Sequence, residues 1–283
     1  MSFLKKLFGR AQAPHPPEPT PTEPPGAMSL AVLLDRLPDR LDDVLRDFPT
    51  RLPALGPLTV DRAPEDPVFP AFLEAGGHTI WALGFDLPMP KEAQQRAIHY
   101  SNWEAGLKDP LYAHSAHVLL FYKGGSEDPV VQLSVLYAIA AGFAPLGVAD
   151  EAAFNCVPGP ALDAVCSAEF LSESQTNIPS QLWTGLLKFH RPDGQTWYTT
   201  RGFDRFGKPN LAFLAPGGDG ERATDLFHTL LNYQHFYRQT FAPGHTADLG
   251  GQFLRFDAPH EYAEYLSGGL QVLTVRMEEG QSS

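Results

Sequence analysis

Between residues 29 and 48 the apolar side chains Leu30, Leu33, Leu34, Leu37, Leu41, Val44, Leu45 and Phe48 recur at steps of three and four, with Asp and Arg between them. That period predicts an amphipathic helical segment over residues 29–52, capped by Ser29 and split at Pro38 into two short helices. The pattern then changes. Residues 68–74 and 78–87 flank Ala75-Gly76-Gly77 and read as a hairpin. A helix is expected from Pro90 to about residue 106, with Ala93, Ala97, Ile98 and Trp103 on its buried side. The unbroken apolar and aromatic run at 115–123 has the length of a strand buried on both faces, hence a central one. Asp128 and Pro129 open a helix through Ala141 that is apolar nearly all round.

Residues 148–157 fit neither period, residues 160–171 read as helix, and the polar stretch 172–180 reads as a linker. Strands follow at 182–190 and 195–200 around the turn Arg191-Pro192-Asp193-Gly194, then at 211–215. A long helix to Phe241 and strands near 251–256 and 270–277 complete the pattern. Strands and helices mix without a βαβ rhythm, so the expected fold is α+β: mixed, largely antiparallel sheets packed with helices, in two α/β-type halves. The halves are assigned to residues 53–171 and 172–283.

The first 28 residues stand apart. Residues 11–27 are dense in proline and poor in large apolar groups, which predicts a disordered, semi-rigid N-terminal arm. Its leading segment places Phe3, Leu4, Leu7 and Phe8 beside Lys5 and Lys6, so as a helix it would form a small basic-apolar tip for a membrane surface or a partner.

Composition narrows the function classes. A net charge of −12 over 283 residues, with no long cationic run, argues against nucleic-acid binding and fits a basic protein partner or plain solubility. Only two cysteines occur, Cys156 and Cys166, in no redox or zinc spacing, which suggests free thiols in a reducing compartment. No run of apolar residues is long enough to span a bilayer and no secretory leader is evident, so a cytoplasmic location is expected. No cofactor or metal is predicted.

Candidate chemistry is sparse. His114 and His117 have a His-x-x-His spacing, but in a strand that separation points them to opposite faces, so packing is expected over metal binding. The glycine turns at 124–125 and 217–220 match neither the P-loop nor the dinucleotide pattern, and no Gly-x-Ser-x-Gly elbow is present. The densest chemistry lies at 199–213, where Gly202 and Gly207 bound a loop carrying Arg201, Asp204, Arg205 and Lys208 between Phe203 and Phe206. It reads as a specified turn whose three cations could form a small anion-recognition patch tempered by Asp204.

Several segments together resemble a known family. They are Trp103, His114-Ser115-Ala116-His117-Val118-Leu119-Leu120, Gly147-Val148, Thr200-Arg201-Gly202-Phe203-Asp204-Arg205-Phe206-Gly207-Lys208-Pro209 and Gly244-His245-Thr246 near Gly250. Over residues 58–277 this set is similar to the uncharacterised bacterial family called domain of unknown function 4261. One departure is Asn210, where the family pattern has an acidic residue. The resemblance implies no established activity; families of this character include immunity and protein-interaction domains. The expectation is thus a non-enzymatic binding or interaction domain, with an enzyme built from distant residues or a peripheral membrane adaptor as alternatives.

Overall fold

The computed structural model describes residues 28–62, 69–166, 168–249, 251–260 and 271–278. The N-terminal arm and its tip, residues 1–27, lie outside them. The first sheet holds β1 (Ser29–Leu34), β2 (Thr59–Arg62), β3 (Ala71–Ala75), β4 (His78–Phe85), β5 (Ala116–Gly124), β6 (Gly147–Asp150) and β7 (Asn155–Pro158). Its order is β2-β3-β4-β5-β1-β6-β7, and every pairing is antiparallel. The second sheet holds β8 (Gly185–His190), β9 (Gln195–Arg201), β10 (Asn210–Pro216), β11 (Thr246–Leu249), β12 (Gln252–Asp257) and β13 (Val272–Glu278). Its order is β11-β12-β13-β10-β9-β8, and only β10 and β13 run parallel. The chain is thus α+β with two largely antiparallel sheets, as expected.

Residues 29–34 correct the helical expectation. They form β1, paired on one side with β5 and on the other with β6. Leu30, Val32 and Leu34 face the main core, whereas Ala31 and Leu33 join a second cluster on the opposite face. A strand buried on both faces is continuously apolar, so its leucines fall at helical spacing without being helical. Beyond Pro38 the period is genuine, although the helices are single turns: α1 (Leu41–Val44) and α2 (Phe48–Arg51) bury Leu41 and Phe48.

Other expectations meet the structure at particular residues. β5 is the middle strand of its sheet, and β3 and β4 form the hairpin that turns at Gly76-Gly77. The helix begun at Pro90 is shorter than expected. After α3 (Lys91–Gln94) it widens into a π-turn at Gln95–His99 and stops, and α4 (Ala105–Tyr112) is a separate element. The ambiguous stretch at 148–157 is the β6–β7 hairpin.

α5 (Pro129–Gly142) is the pillar of the core. The Asp128 carboxylate accepts a 2.9 Å hydrogen bond from the Val130 amide, and Pro129 sits in the first turn where no donor is needed. Its side chains from Leu133 to Ala141 are all buried against β1, β5, α2 and α6 (Gly159–Val165). After α7 (Ala168–Glu173) and α8 (Ser180–Trp183), α9 (Gly220–Phe236) packs on β9 and β10 and ends short of the predicted Phe241. Within the predicted linker Ser174 is buried, with its hydroxyl 3.0 Å from that of Ser134. One apolar cluster includes Val32, Leu136, Phe203 and Val275, so the two sheets share a core.

Truncating Leu136 to Ala removes a wholly buried side chain from that pillar and should cost about 2–5 kcal/mol in chemical denaturation. Leu107→Ala on exposed α4 should change stability by less than about 0.5 kcal/mol.

Candidate functional site

The loop at 199–213 is built as a braced turn. Gly202 and Gly207 adopt φ of 94° and 66°, the left-handed region that disfavours side chains, and bracket a 3-10 turn at Phe203–Phe206. Phe203 and Phe206 are buried and anchor it. Asn210, wholly buried, holds it from behind: its side-chain oxygen accepts from the Phe203 amide at 3.2 Å and the Thr200 hydroxyl at 3.3 Å. Its side-chain nitrogen donates to Asp204 at 3.2 Å. A carboxylate could make the first two bonds but not the third, so an amide suits this position.

The structure breaks up the expected cationic patch. Arg205 turns into the interior, where its Nη1 forms an ion pair with Asp150 of β6; their side chains are 7% and 1% exposed. Its Nε lies 3.1 Å from the Met28 sulfur. An arginine already neutralised by a buried carboxylate is a structural tie, not an anion receptor. Lys208 donates to the Gln239 carbonyl at 2.6 Å and lies 3.1 Å from the Thr240 hydroxyl, beyond the end of α9. Asp204 braces Asn210. Of this set, Arg201 lines a cleft beside β8, and Arg205 borders a separate one with Met28 and Lys123.

His114 and His117 are likewise fixed. The His114 Nδ1 contacts the Leu111 carbonyl at 2.5 Å while its Nε2 accepts from the Met89 amide at 2.9 Å, which requires the neutral ring protonated at Nδ1. His117 Nδ1 contacts the Leu87 carbonyl at 2.7 Å and its ring stacks on Phe85 at 4.9 Å. The pair clamps the segment leaving β4, and burial lowers the pKa of both rings. Among the described residues no cluster of metal-ligating side chains exists.

Two clefts flank β8. The first, of about 490 Å³, is lined by Arg201, Arg96, His99 and Lys188 together with Tyr100, Phe154 and Phe189. The Arg201 guanidinium lies 5.8 Å from the Phe154 ring centre; burial lowers its pKa and Asp204 opposes that effect. Arg96 is paired with exposed Glu151. The second cleft, of about 390 Å³, has an acidic wall, with Glu221, Thr224 and Asp225 of α9 facing Ser180, Thr200 and Asn155, and an apolar floor that includes Trp103, Leu182 and Phe227. Asn102 and Leu186 border both.

β8 is the terminal strand of its sheet among the described residues. The Arg191 amide donates to the Gln195 carbonyl at 2.8 Å, which fixes the ladder phase. With the register Lys188↔Tyr198 and His190↔Thr196, residues 187 and 189 bond to β9 while 186, 188 and 190 turn their backbone groups outward. The first outward carbonyl, Leu186, accepts from the Asn102 side chain at 2.8 Å, much as it would from a neighbouring strand. Register also assigns the faces. Leu187 and Phe189 share the Arg201 face, whereas Leu186 lies opposite Thr200 on the other. Sequence reasoning found Arg201 but missed Asn102, Lys188 and the acidic group on α9; no local motif marks a strand as terminal.

Other chemistry is self-contained. The glycine turn before α5 leads to a helix end already capped by Asp128. Ser180 lies 3.0 Å from His228 Nδ1, and Asn232 of the same helix accepts from the Ile178 amide at 2.7 Å, so these side chains tether α8 to α9. Burial pushes the Cys156 thiol up to about 11, outside the range of a reactive thiolate. No family model, curated protein or solved structure matches the chain.

Removing one partner of the buried ion pair, as in Asp150→Ala, should destabilise by about 3–5 kcal/mol in urea denaturation, because a buried guanidinium is left uncompensated. Asp150→Ala combined with Arg205→Met should cost clearly less than the two single changes added together. For the histidines, folded pKa values lie below the ordinary 6.5, so their contribution is intact above that pH and is lost as pH falls through the folded values. Stability should decline as pH falls below about 6.5. His114→Gln should flatten that slope in denaturation curves taken across the acidic range.

Proposed function

We propose that the protein is a non-enzymatic interaction domain that takes an extended segment of a partner protein along the open edge of β8. The observation that carries this is a terminal strand lying between clefts of opposite charge. A strand added to a sheet edge gains main-chain hydrogen bonds, and its alternate side chains project to opposite faces. On β8 those faces differ chemically. An acidic side chain suits the Arg201 face, with Phe154 and Phe189 supplying apolar area; a basic or hydroxyl side chain suits Glu221 and Asp225 on the other. The bound segment is thus an alternating one.

The net charge of −12 favours a partner that is basic as a whole, since long-range attraction acts on total charge while the clefts select side chains at contact. An interaction role accords with the resemblance to domain of unknown function 4261, and in its immunity form the partner would be a toxin. Cys156 and Cys166, buried and not joined in a disulfide, fit a reducing cytoplasm, and among the described residues no helix is long and apolar enough to cross a membrane.

The full chain should bind a fluorescein-labelled peptide of alternating Glu and Lys more tightly than one of the same composition arranged in blocks, measured by anisotropy. Arg201→Gln should weaken that binding about tenfold by removing a charge-assisted contact. Lys188→Pro removes one outward N–H at a position where an edge strand tolerates proline, so circular dichroism should be unchanged while binding falls about tenfold. Undiminished binding by a folded Lys188→Pro protein would sink strand addition.

A further inference from the structure

The buried polar groups of the second cleft leave one acceptor without a donor. Asn155, Ser180, Thr184 and Thr200 are the buried polar residues that line it. The three hydroxyls are engaged within the protein. Ser180 lies 3.0 Å from His228 Nδ1, Thr184 donates to the Ser180 carbonyl at 2.6 Å, and Thr200 donates to Asn210 and accepts from the Leu211 amide at 2.9 Å. Asn155 differs. Its Nδ2 faces the carbonyls of Gln181, Leu182 and Thr184 at 3.1, 2.9 and 3.2 Å. Three acceptors around one end of the amide fix that end as nitrogen and the other as oxygen. Asn155 is 4% exposed, yet its Oδ1 accepts no hydrogen bond from a described residue and is not sealed from solvent. The space that Asn155 lines is this cleft.

The facing wall adds two carboxylates. Glu221 and Asp225 stand one turn apart on α9, about 6 Å between their Cβ atoms, where like charges repel. Neither forms an ion pair among the described residues, and no Lys, Arg or His lines the cleft. The floor is apolar. Trp103 contributes ring surface only, because its indole N–H already donates to the Cys156 carbonyl at 2.5 Å, and Leu182 and Phe227 complete it.

We propose that this cleft is a guanidinium site, so that the basic side chain it takes from a strand added at β8 is arginine rather than lysine. The second half of that statement rests on strand addition; the site itself does not. A guanidinium carries five N–H donors around a flat, weakly hydrated body. One edge can lie along a carboxylate of α9 in two parallel bonds while an N–H on another edge meets Asn155 Oδ1. Its faces suit the aromatic surface of Trp103 and Phe227. An ammonium concentrates its donors at one point and holds its water tightly, so the same apolar floor disfavours it. A volume of about 390 Å³ is near the small end of ligand clefts, which fits a side chain or a small guanidine compound. The net charge of −12 draws cations of either kind toward the surface.

Two small dications separate guanidinium recognition from charge alone: agmatine, with one guanidinium and one ammonium, and cadaverine, with two ammoniums on a chain of similar length. Added to the isotope-labelled full chain, agmatine should shift the side-chain amide NMR signal of Asn155 saturably, at about tenfold lower concentration than cadaverine. No saturable shift at Asn155, or equal midpoints for the two, would overturn the proposal. Glu221→Gln with Asp225→Asn, both at exposed positions of α9, should keep the fold and weaken agmatine about tenfold or more. Glu221→Gln alone serves if the pair fails to fold. Unchanged agmatine affinity in a folded variant would also overturn the site. A second arm finds the source of the guanidinium. A labelled peptide alternating Glu and Arg should displace agmatine and bind about tenfold more tightly than the Glu and Lys peptide. Agmatine binding that neither peptide displaces would assign the site to a free guanidine compound and count against strand addition alone. Equal binding of the two peptides without an agmatine shift would remove the guanidinium site and leave strand addition standing.

Discussion

The contact on which the rest depends is the buried ion pair between Arg205 and Asp150. One partner stands at the end of β6 in the first sheet and the other in the turn between β9 and β10 in the second. Neither charge tolerates the interior alone, so the pair is satisfied in only one relative placement of the two sheets. Nearby polar groups repeat the demand. Asn155 donates to the carbonyls of Gln181, Leu182 and Thr184, and the Tyr137 hydroxyl also reaches Leu182 at 2.9 Å. Burial, reinforced by Asp150, raises the tyrosine pKa well above its ordinary value, so it remains a neutral donor there. Apolar packing brings the sheets together, and these directional bonds select how they meet.

The same junction explains why β8 is left with an open edge. Gly185 begins that strand pressed against the β6–β7 turn, where an added Cβ would lie 2.0 Å from the Ala153 carbonyl oxygen. Only a residue without a side chain can start the strand so close to the other sheet. Among the described residues β8 pairs with β9 alone, and no strand of the first sheet continues alongside it. The gap becomes the two clefts, with Arg96 and His99 contributed from the π-turn and Glu221 and Asp225 from α9. Asn102 spans the gap as a single rung of the missing ladder.

Local signals in the sequence were faithful where the cause was local. Asp128-Pro129 marked the start of α5, and the glycines at 202 and 207 marked a turn that needs positive φ, because capping and φ are decided within a few residues. The segment at 29–34 misled because burial on both faces of a sheet erases alternation and leaves leucines at helical intervals. Arg205 misled in another way. A cation on a glycine-bounded loop resembles a solvated binding group, and nothing near it announces a carboxylate fifty-five positions earlier. The acidic and basic walls of β8 were illegible for the same reason, since strand order is a property of the whole sheet.

Charge at the candidate site differs from charge in the whole chain. Over the surface the excess of carboxylates produces a negative field, but its reach in physiological salt is only about 8 Å. Within the first cleft, Arg201 is buried against Phe154, where water screens it less. In the proposed strand addition, a partner would be drawn by its basic groups on approach and would place an acidic group toward Arg201 once a segment lay along β8. Those demands would conflict for a uniformly charged peptide and agree for an alternating one. The alternation would be imposed by the strand itself, whose period of two delivers successive side chains to opposite walls. On that proposal, selectivity at this edge follows from backbone geometry first, with the charged side chains reading out the positions that geometry assigns.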